Sequence, residues 1–147
     1  MNSNTINRFL EAQNYVYLKA ITEIKKGHKE SDWMWSVFPQ LKRWSDHEAS
    51  GLYSIEDIEE AQKYLLHPVL GKHLIEISKI VFGLKDTTAD EIFGSSDALK
   101  FHSCMTLFAS VPDTHPVFEQ ILKKYFDELP EYSTWNLLLK MHSDDVV

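Results

Sequence analysis

The sequence predicts an all-α protein: a single compact domain of about seven helices around a tryptophan-rich central segment. Three observations carry that reading. Apolar residues recur at three- and four-residue spacing along most of the chain. Capping residues stand ahead of these runs, and glycine or proline closes them. No stretch alternates strictly between apolar and polar residues, although Ser36-Val37-Phe38 fits a short extended piece.

The central segment is Ser31-Asp32-Trp33-Met34-Trp35-Ser36-Val37-Phe38-Pro39-Gln40. Two tryptophans two positions apart cannot share one face of a regular helix. The spacing predicts a turn of helix followed by a bend, with rings driven inward and the polar edges, Gln40 among them, left for a ligand or solvent.

The remaining elements follow in order. From Thr5 to Lys26 an apolar face runs through Ile6, Phe9, Leu10, Val16, Tyr17, Ala20, Ile21 and Ile24, and Gly27 supplies a left-handed stop. Gln13 falls on that face, so its amide either bonds to backbone or is presented to a cavity. Leu41 to Leu52 reads as a loop with Trp44 folded back onto the body. Ser54-Ile55-Glu56-Asp57 reads as a helix start capped by Ser54, and His67-Pro68 separates that helix from the next, which Gly83 closes. Thr88 to Glu91 matches a capping box. Ser95-Ser96-Asp97 offers a further cap, leading into Leu99 to Phe108, which is apolar on several sides and should be mostly buried. His115-Pro116 opens another helix, and Ser133 or Thr134 caps the last one. The ordered body is expected over 5–141, with a fraying tail.

Composition narrows the function classes. At 147 residues with 44% hydrophobic content, the chain is long enough to bury roughly two thirds of its unfolded surface. A formal charge of −7 argues against a nucleic-acid polymer or an anionic membrane as partner. The absence of a long apolar run or a signal segment, with Cys104 alone, fits a cytoplasmic protein. The basic group Lys25, Lys26, His28 and Lys29 reads as a solvated helix end. Seven histidines show no paired metal-ligand spacing, so neither a metal nor another cofactor is expected. Cys104 and His102 are not a catalytic pair by adjacency, and no phosphate loop or dinucleotide fingerprint occurs.

The constellation with chemical content is Asp97, Lys100, Ser103 and Thr106, each three residues from the next on one predicted helix. In the structural reading the hydroxyls bond back to helix carbonyls and Lys100 reaches solvent along its stem. In the functional reading Lys100 grips an anionic ligand while Trp33 or Trp35 stacks a flat ring.

These residues lie in longer motifs: Phe9-Leu10-Glu11-Ala12-Gln13, Ser31 through Leu41, Tyr64-Leu65-Leu66-His67-Pro68-Val69-Leu70-Gly71, Ile92-Phe93-Gly94 and Asp97 through Phe108. On them the chain resembles the domain-of-unknown-function family 1810, from about Phe9 to Leu139. It departs from that family's pattern at Asp32, Ser54, His102 and Cys104. More distantly, through Leu70-Gly71 and Phe93-Gly94, it is similar to the NADAR superfamily, helical N-glycosidases acting on ADP-ribose or riboflavin-pathway intermediates. That resemblance implies an ADP-ribosyl or nucleotide-like substrate.

Such chemistry needs a carboxylate near the sugar and a platform for the leaving base. Asp97 and Lys100 are the catalytic candidates, with Glu11 as a second carboxylate. Gln13, Trp33, Trp35, Gln40, Lys100, Ser103 and Thr106 are the ligand-binding candidates. A non-catalytic module binding a small ligand or a protein is the alternative.

Overall fold

The computed structural model describes residues 3–42 and 54–145, so the loop read around Trp44 lies outside the described residues. Eight helices occur among them: α1 (Ser3–Lys25), α2 (Met34–Val37), α3 (Ile58–Leu66), α4 (Leu70–Gly83), α5 (Ala89–Phe93), α6 (Ser95–Ala109), α7 (Val117–Phe126) and α8 (Tyr132–Asp145). One parallel pair of two-residue strands, β1 (Gln40–Leu41) and β2 (Ser54–Ile55), aligns Gln40 with Ser54. The fold is therefore a single all-helical domain. No helix among the described residues is long and apolar enough to cross a membrane.

Helix α6 is the central post. It packs against α3, α5, α7, α8 and β1, and buries Phe101, Cys104, Met105, Leu107 and Phe108. The aromatic segment delivers Phe38 into this core, where its ring meets Phe101 edge-on at 5.0 Å and Phe93 at 5.8 Å. Such edge-on contacts align the positive ring edge with the negative ring face.

Local chemistry sets most helix ends. Gly27 adopts φ +85° and closes α1 in a Schellman turn, with His28 N–H donating to the Glu23 carbonyl and Gly27 N–H to Ile24. Thr88 caps α5 by accepting from Glu91 N–H, as its capping-box spacing predicts. Three caps differ from the sequence reading. Ser54 is in β2, and Asp57 caps α3 by accepting from Glu60 N–H, because Ser54-Ile55 pairs with β1 before the helix can start. Gly94, at φ +83°, precedes α6 in place of a serine cap. Glu131 receives Ser133 N–H and Thr134 N–H at the start of α8. Ser36 and Val37 lie in α2 rather than in an extended piece.

Both His-Pro-Val sequences share one device. His67 Nδ1 accepts from Val69 and Leu70 N–H at 3.1 and 3.2 Å, and His115 Nδ1 accepts from Val117 N–H at 3.0 Å. The ring thus satisfies orphan donors that proline leaves at a helix start. Between α3 and α4, a Cβ on Gly71 would stand 1.9 Å from the Leu65 carbonyl oxygen, so the turn admits only glycine.

Two carboxylates are buried and saturated with donors. Glu23 accepts from Glu30 N–H (2.7 Å), Ser31 N–H (2.9 Å), Ser31 Oγ (2.6 Å) and Trp33 Nε1–H (2.9 Å). Glu131 accepts from Ser103 Oγ (2.8 Å) and Thr134 Oγ1 (2.7 Å) besides the two backbone groups. Burial pushes each carboxyl upward, but these donors outweigh it and hold both at about 2.

Three predictions follow from these contacts. Gly71→Ala forces α3 and α4 apart and should cost about 1–3 kcal/mol, read as a fall in Tm of several degrees; an unchanged Tm would refute the close approach. Glu23→Ala strands four donors on this carboxylate and should cost at least ~2 kcal/mol in denaturant titration. Stability should also fall with acid in two windows. His73 and His115 are depressed by burial, with Lys79 also repelling His115, so their contribution is complete above about pH 6.5 and declines below it. The depressed Glu23 and Glu131 lose theirs as pH falls from about 4.5 toward 2. Glu60, raised by burial, works in the opposite sense in the carboxylate range. Denaturation midpoints measured across pH test this, and Glu23→Gln should flatten the lower step.

Candidate functional site

The Glu23 hub shapes the loop between α1 and α2, and that loop is tied down at its far side as well. Lys29 N–H donates to the Ile92 carbonyl at 2.7 Å, and His28 Nδ1 lies 3.2 Å from the Glu91 carbonyl. Lys29 therefore crosses from the end of α1 to the junction of α5 and α6. There Gly94, with its positive φ, starts α6 so that Asp97 falls in the first turn, where the helix dipole favours a carboxylate.

Asp97 is clamped by two ammonium groups. Lys29 Nζ stands 2.8 Å from Oδ2, and Lys100 Nζ 3.2 Å from Oδ1. Burial raises the Asp97 carboxyl, and the two lysines together bring it below its ordinary value. Each ammonium also faces an indole: Lys29 is 5.1 Å from the Trp33 ring centre and Lys100 is 4.8 Å from that of Trp35. The result is a layered unit of two tryptophans, two lysines and one carboxylate.

Its two halves differ in access. The Lys29 side chain is 8% exposed and Trp33 is 3% exposed, so that half is walled in. The Lys100 side chain is 29% exposed and Trp35 is half-buried, so that half meets solvent. An ammonium has three donors. Asp97 takes one from Lys100, and the others have no partner among the described residues.

The other expected site residues go elsewhere. Gln13 Nε2 donates to the Ser36 carbonyl at 2.8 Å and the Tyr64 hydroxyl at 3.0 Å, while its Oε1 faces His73 Nδ1 at 2.8 Å. Because a carbonyl can only accept, the amide orientation is fixed, and His73 must carry its proton on Nδ1. Ser103 Oγ reaches the Leu99 carbonyl at 3.1 Å as well as Glu131, and Thr106 Oγ1 reaches the His102 carbonyl at 2.9 Å while accepting from Glu131 N–H at 2.8 Å. These hydroxyls bond back to their own helix and hold the start of α8. Gln40 is buried, and its Nε2 has no partner among the described residues. Cys104 is buried, and burial pushes its thiol well above the ordinary range, as for an inert core residue.

Glu23 and Lys29 escape the sequence reading. Lys25, Lys26 and His28 are exposed, as a solvated helix end should be, but Lys29 turns inward to Asp97. The available signal was Glu23, an acidic residue in the last turn of α1, where the dipole disfavours it unless other donors hold it. Among the described residues no group of three His, Cys, Asp or Glu side chains could hold a metal ion.

Comparison with known proteins agrees with the motifs. No curated protein matches the chain. A solved structure, the conserved hypothetical protein Rv1873 from Mycobacterium tuberculosis, is 38% identical, with a TM-score of 0.90 over 94% of this chain and 99% of that one. The profile described as "Protein of unknown function (DUF1810)" matches residues 3–138. The chain therefore belongs to the DUF1810 family.

Proposed function

We propose that this protein is a binding module for a small anionic ligand carrying a flat ring, of the nucleotide-like kind, and that it does not turn the ligand over. The observation that supports this is the Lys100 ammonium poised over a half-buried Trp35 with donors to spare. Within the clamp two positive charges face one negative charge, so the local balance suits a phosphate or carboxylate. Lys100 binds that group, and Trp35 offers the ring face that Lys100 leaves uncovered. Lys29, buried on Asp97, keeps the carboxylate from drawing Lys100 fully away. The setting is cytoplasmic, where the lone Cys104 stays a thiol.

N-glycoside cleavage, the activity that NADAR resemblance implies, is the second reading. It needs a carboxylate whose charge is available to an oxocarbenium-like centre. Asp97 already has an ammonium on each oxygen, and Glu11 is exposed on α1, so binding is better supported than turnover.

Tryptophan fluorescence titrated with AMP and with ADP-ribose should show saturable quenching. Lys100→Ala should weaken binding roughly tenfold or more, since a hydrogen bond to a charged group is lost. Trp35→Ala should abolish the quench while leaving Tm nearly unchanged, whereas Trp33→Ala should lower Tm. Chromatography after long incubation should recover the ligand intact; release of base or ribose would replace this reading with the hydrolytic one.

A further inference from the structure

His67 and His115 each stand where a proline follows and a helix begins, in the place that Ser, Thr, Asp or Asn fills at most helix starts. His67 has the extended backbone of an N-cap, with φ −65° and ψ 132°, and its carbonyl accepts from Gly71 N–H at 3.0 Å. Pro68 has no N–H to offer, and the next two, those of Val69 and Leu70, both end on His67 Nδ1. His115 repeats the arrangement with Pro116 and Val117 N–H. First-turn amides have no acceptor within their own helix, so they depend on the ring nitrogen. Leu70 is 0% exposed and Val117 1% exposed, so water cannot take the ring's place there without the turn opening.

An imidazole can hold this position in one protonation state only. Nδ1 accepts while it keeps its lone pair, so both rings are neutral with the proton on Nε2. Protonation turns Nδ1 into a donor that faces other donors, and it sets a positive charge at the positive end of a helix dipole. A serine or asparagine cap has no such dependence. The surroundings do not offset it: among the described residues no carboxylate pairs with either ring. Burial and the Lys79 ammonium on α4 hold the His115 ring below the ordinary histidine value, while Asp113 and Glu119 flank it in sequence, exposed and unpaired with it. Near His67 the charged side chains closest in sequence are Lys63 on α3 and Lys72 on α4, both exposed, and the His73 ring is turned to Gln13 and Tyr17.

We propose that the two His-Pro-Val helix starts are acid-released latches: protonation expels each ring, and the first turns of α4 and α7 open while the rest of the body stays folded. The two helices pack on each other, and Lys124 of α7 holds the carbonyl end of α4, so both latches act on one helix pair. The sign follows from the neutral ring. For His115, whose folded form resists protonation, the cap is complete above about pH 6.5 and is lost progressively below it. That window lies above the one in which Glu23 and Glu131 give up their charge. The device uses none of the residues of the Lys100–Trp35 unit.

Amide hydrogen exchange of the full chain, read residue by residue by NMR at pH 7.5 and pH 5.0, tests it, because exchange reports local opening. Protection factors, which correct for the intrinsic effect of pH, should fall roughly tenfold at Val69, Leu70 and Val117 in acid, the equivalent of one lost hydrogen bond. Those in the middle of α6 should hold. Asparagine accepts through its side-chain oxygen at either pH, so His67→Asn and His115→Asn should each keep its own helix start protected at pH 5.0. His67→Ala should reproduce the acid state of Val69 and Leu70 at pH 7.5. Side-chain nitrogen shifts at pH 7.5 should show both rings protonated on Nε2. Unchanged protection in acid, an equal loss across all helices, asparagine variants that open as far as the natural chain, or an Nδ1–H tautomer would each overturn the proposal.

Discussion

The Glu23 carboxylate is the constraint on which the candidate site depends. A buried carboxylate is costly unless its lone pairs are filled, and here the loop that follows α1 fills them. Two backbone N–H groups, a serine hydroxyl and an indole N–H converge on it within eleven residues of chain, from Glu23 to Trp33. That convergence fixes where Lys29 leaves the loop and how Trp33 enters the body. Lys29 then reaches Asp97, and through Asp97 the position of Lys100 is set. The solvent-facing pair of Lys100 and Trp35 is the outer end of a chain that starts in the last turn of α1.

Helix α6 divides its polar residues between two tasks, and helix geometry explains why. Asp97, Lys100, Ser103 and Thr106 are neighbours in steps of three, but each step falls about 60° short of a full turn. Over the three steps from Asp97 to Thr106 the shortfall accumulates to about 180°. The first two residues therefore face the tryptophans, and the last two face Glu131 and the start of α8. A local pairing rule holds for each step and fails for the set. The same helix serves as a wall of the candidate site and as the anchor of α8.

Polar side chains elsewhere link elements far apart in sequence. Gln13 joins α1 to the Ser36 carbonyl, to Tyr64 on α3 and to His73 on α4. Lys124 on α7 donates to the Phe82 and Leu84 carbonyls at the end of α4, where a cation also complements the helix dipole. These bonds are satisfied in full, so they specify one arrangement of helices rather than leaving a reactive group free. Motif residues such as Gln13, Ser103 and Thr106 are accounted for by that role.

The sequence by itself determined the helical class, most helix positions and the stops at Gly27 and Gly83, because apolar period and capping act within one or two turns. It also placed helix boundaries at His67-Pro68 and His115-Pro116, where the structure shows each histidine ring accepting from the backbone N–H groups that follow. Only the tertiary structure decided that Asp57 rather than Ser54 starts α3, since Ser54 first pairs with a strand more than ten residues away. Only it separated Trp33, buried on Glu23, from Trp35, left beside Lys100, and turned Lys29 inward from its solvated neighbours. Those outcomes hang on which donors and acceptors meet across the fold, and desolvation makes that a property of the assembled core.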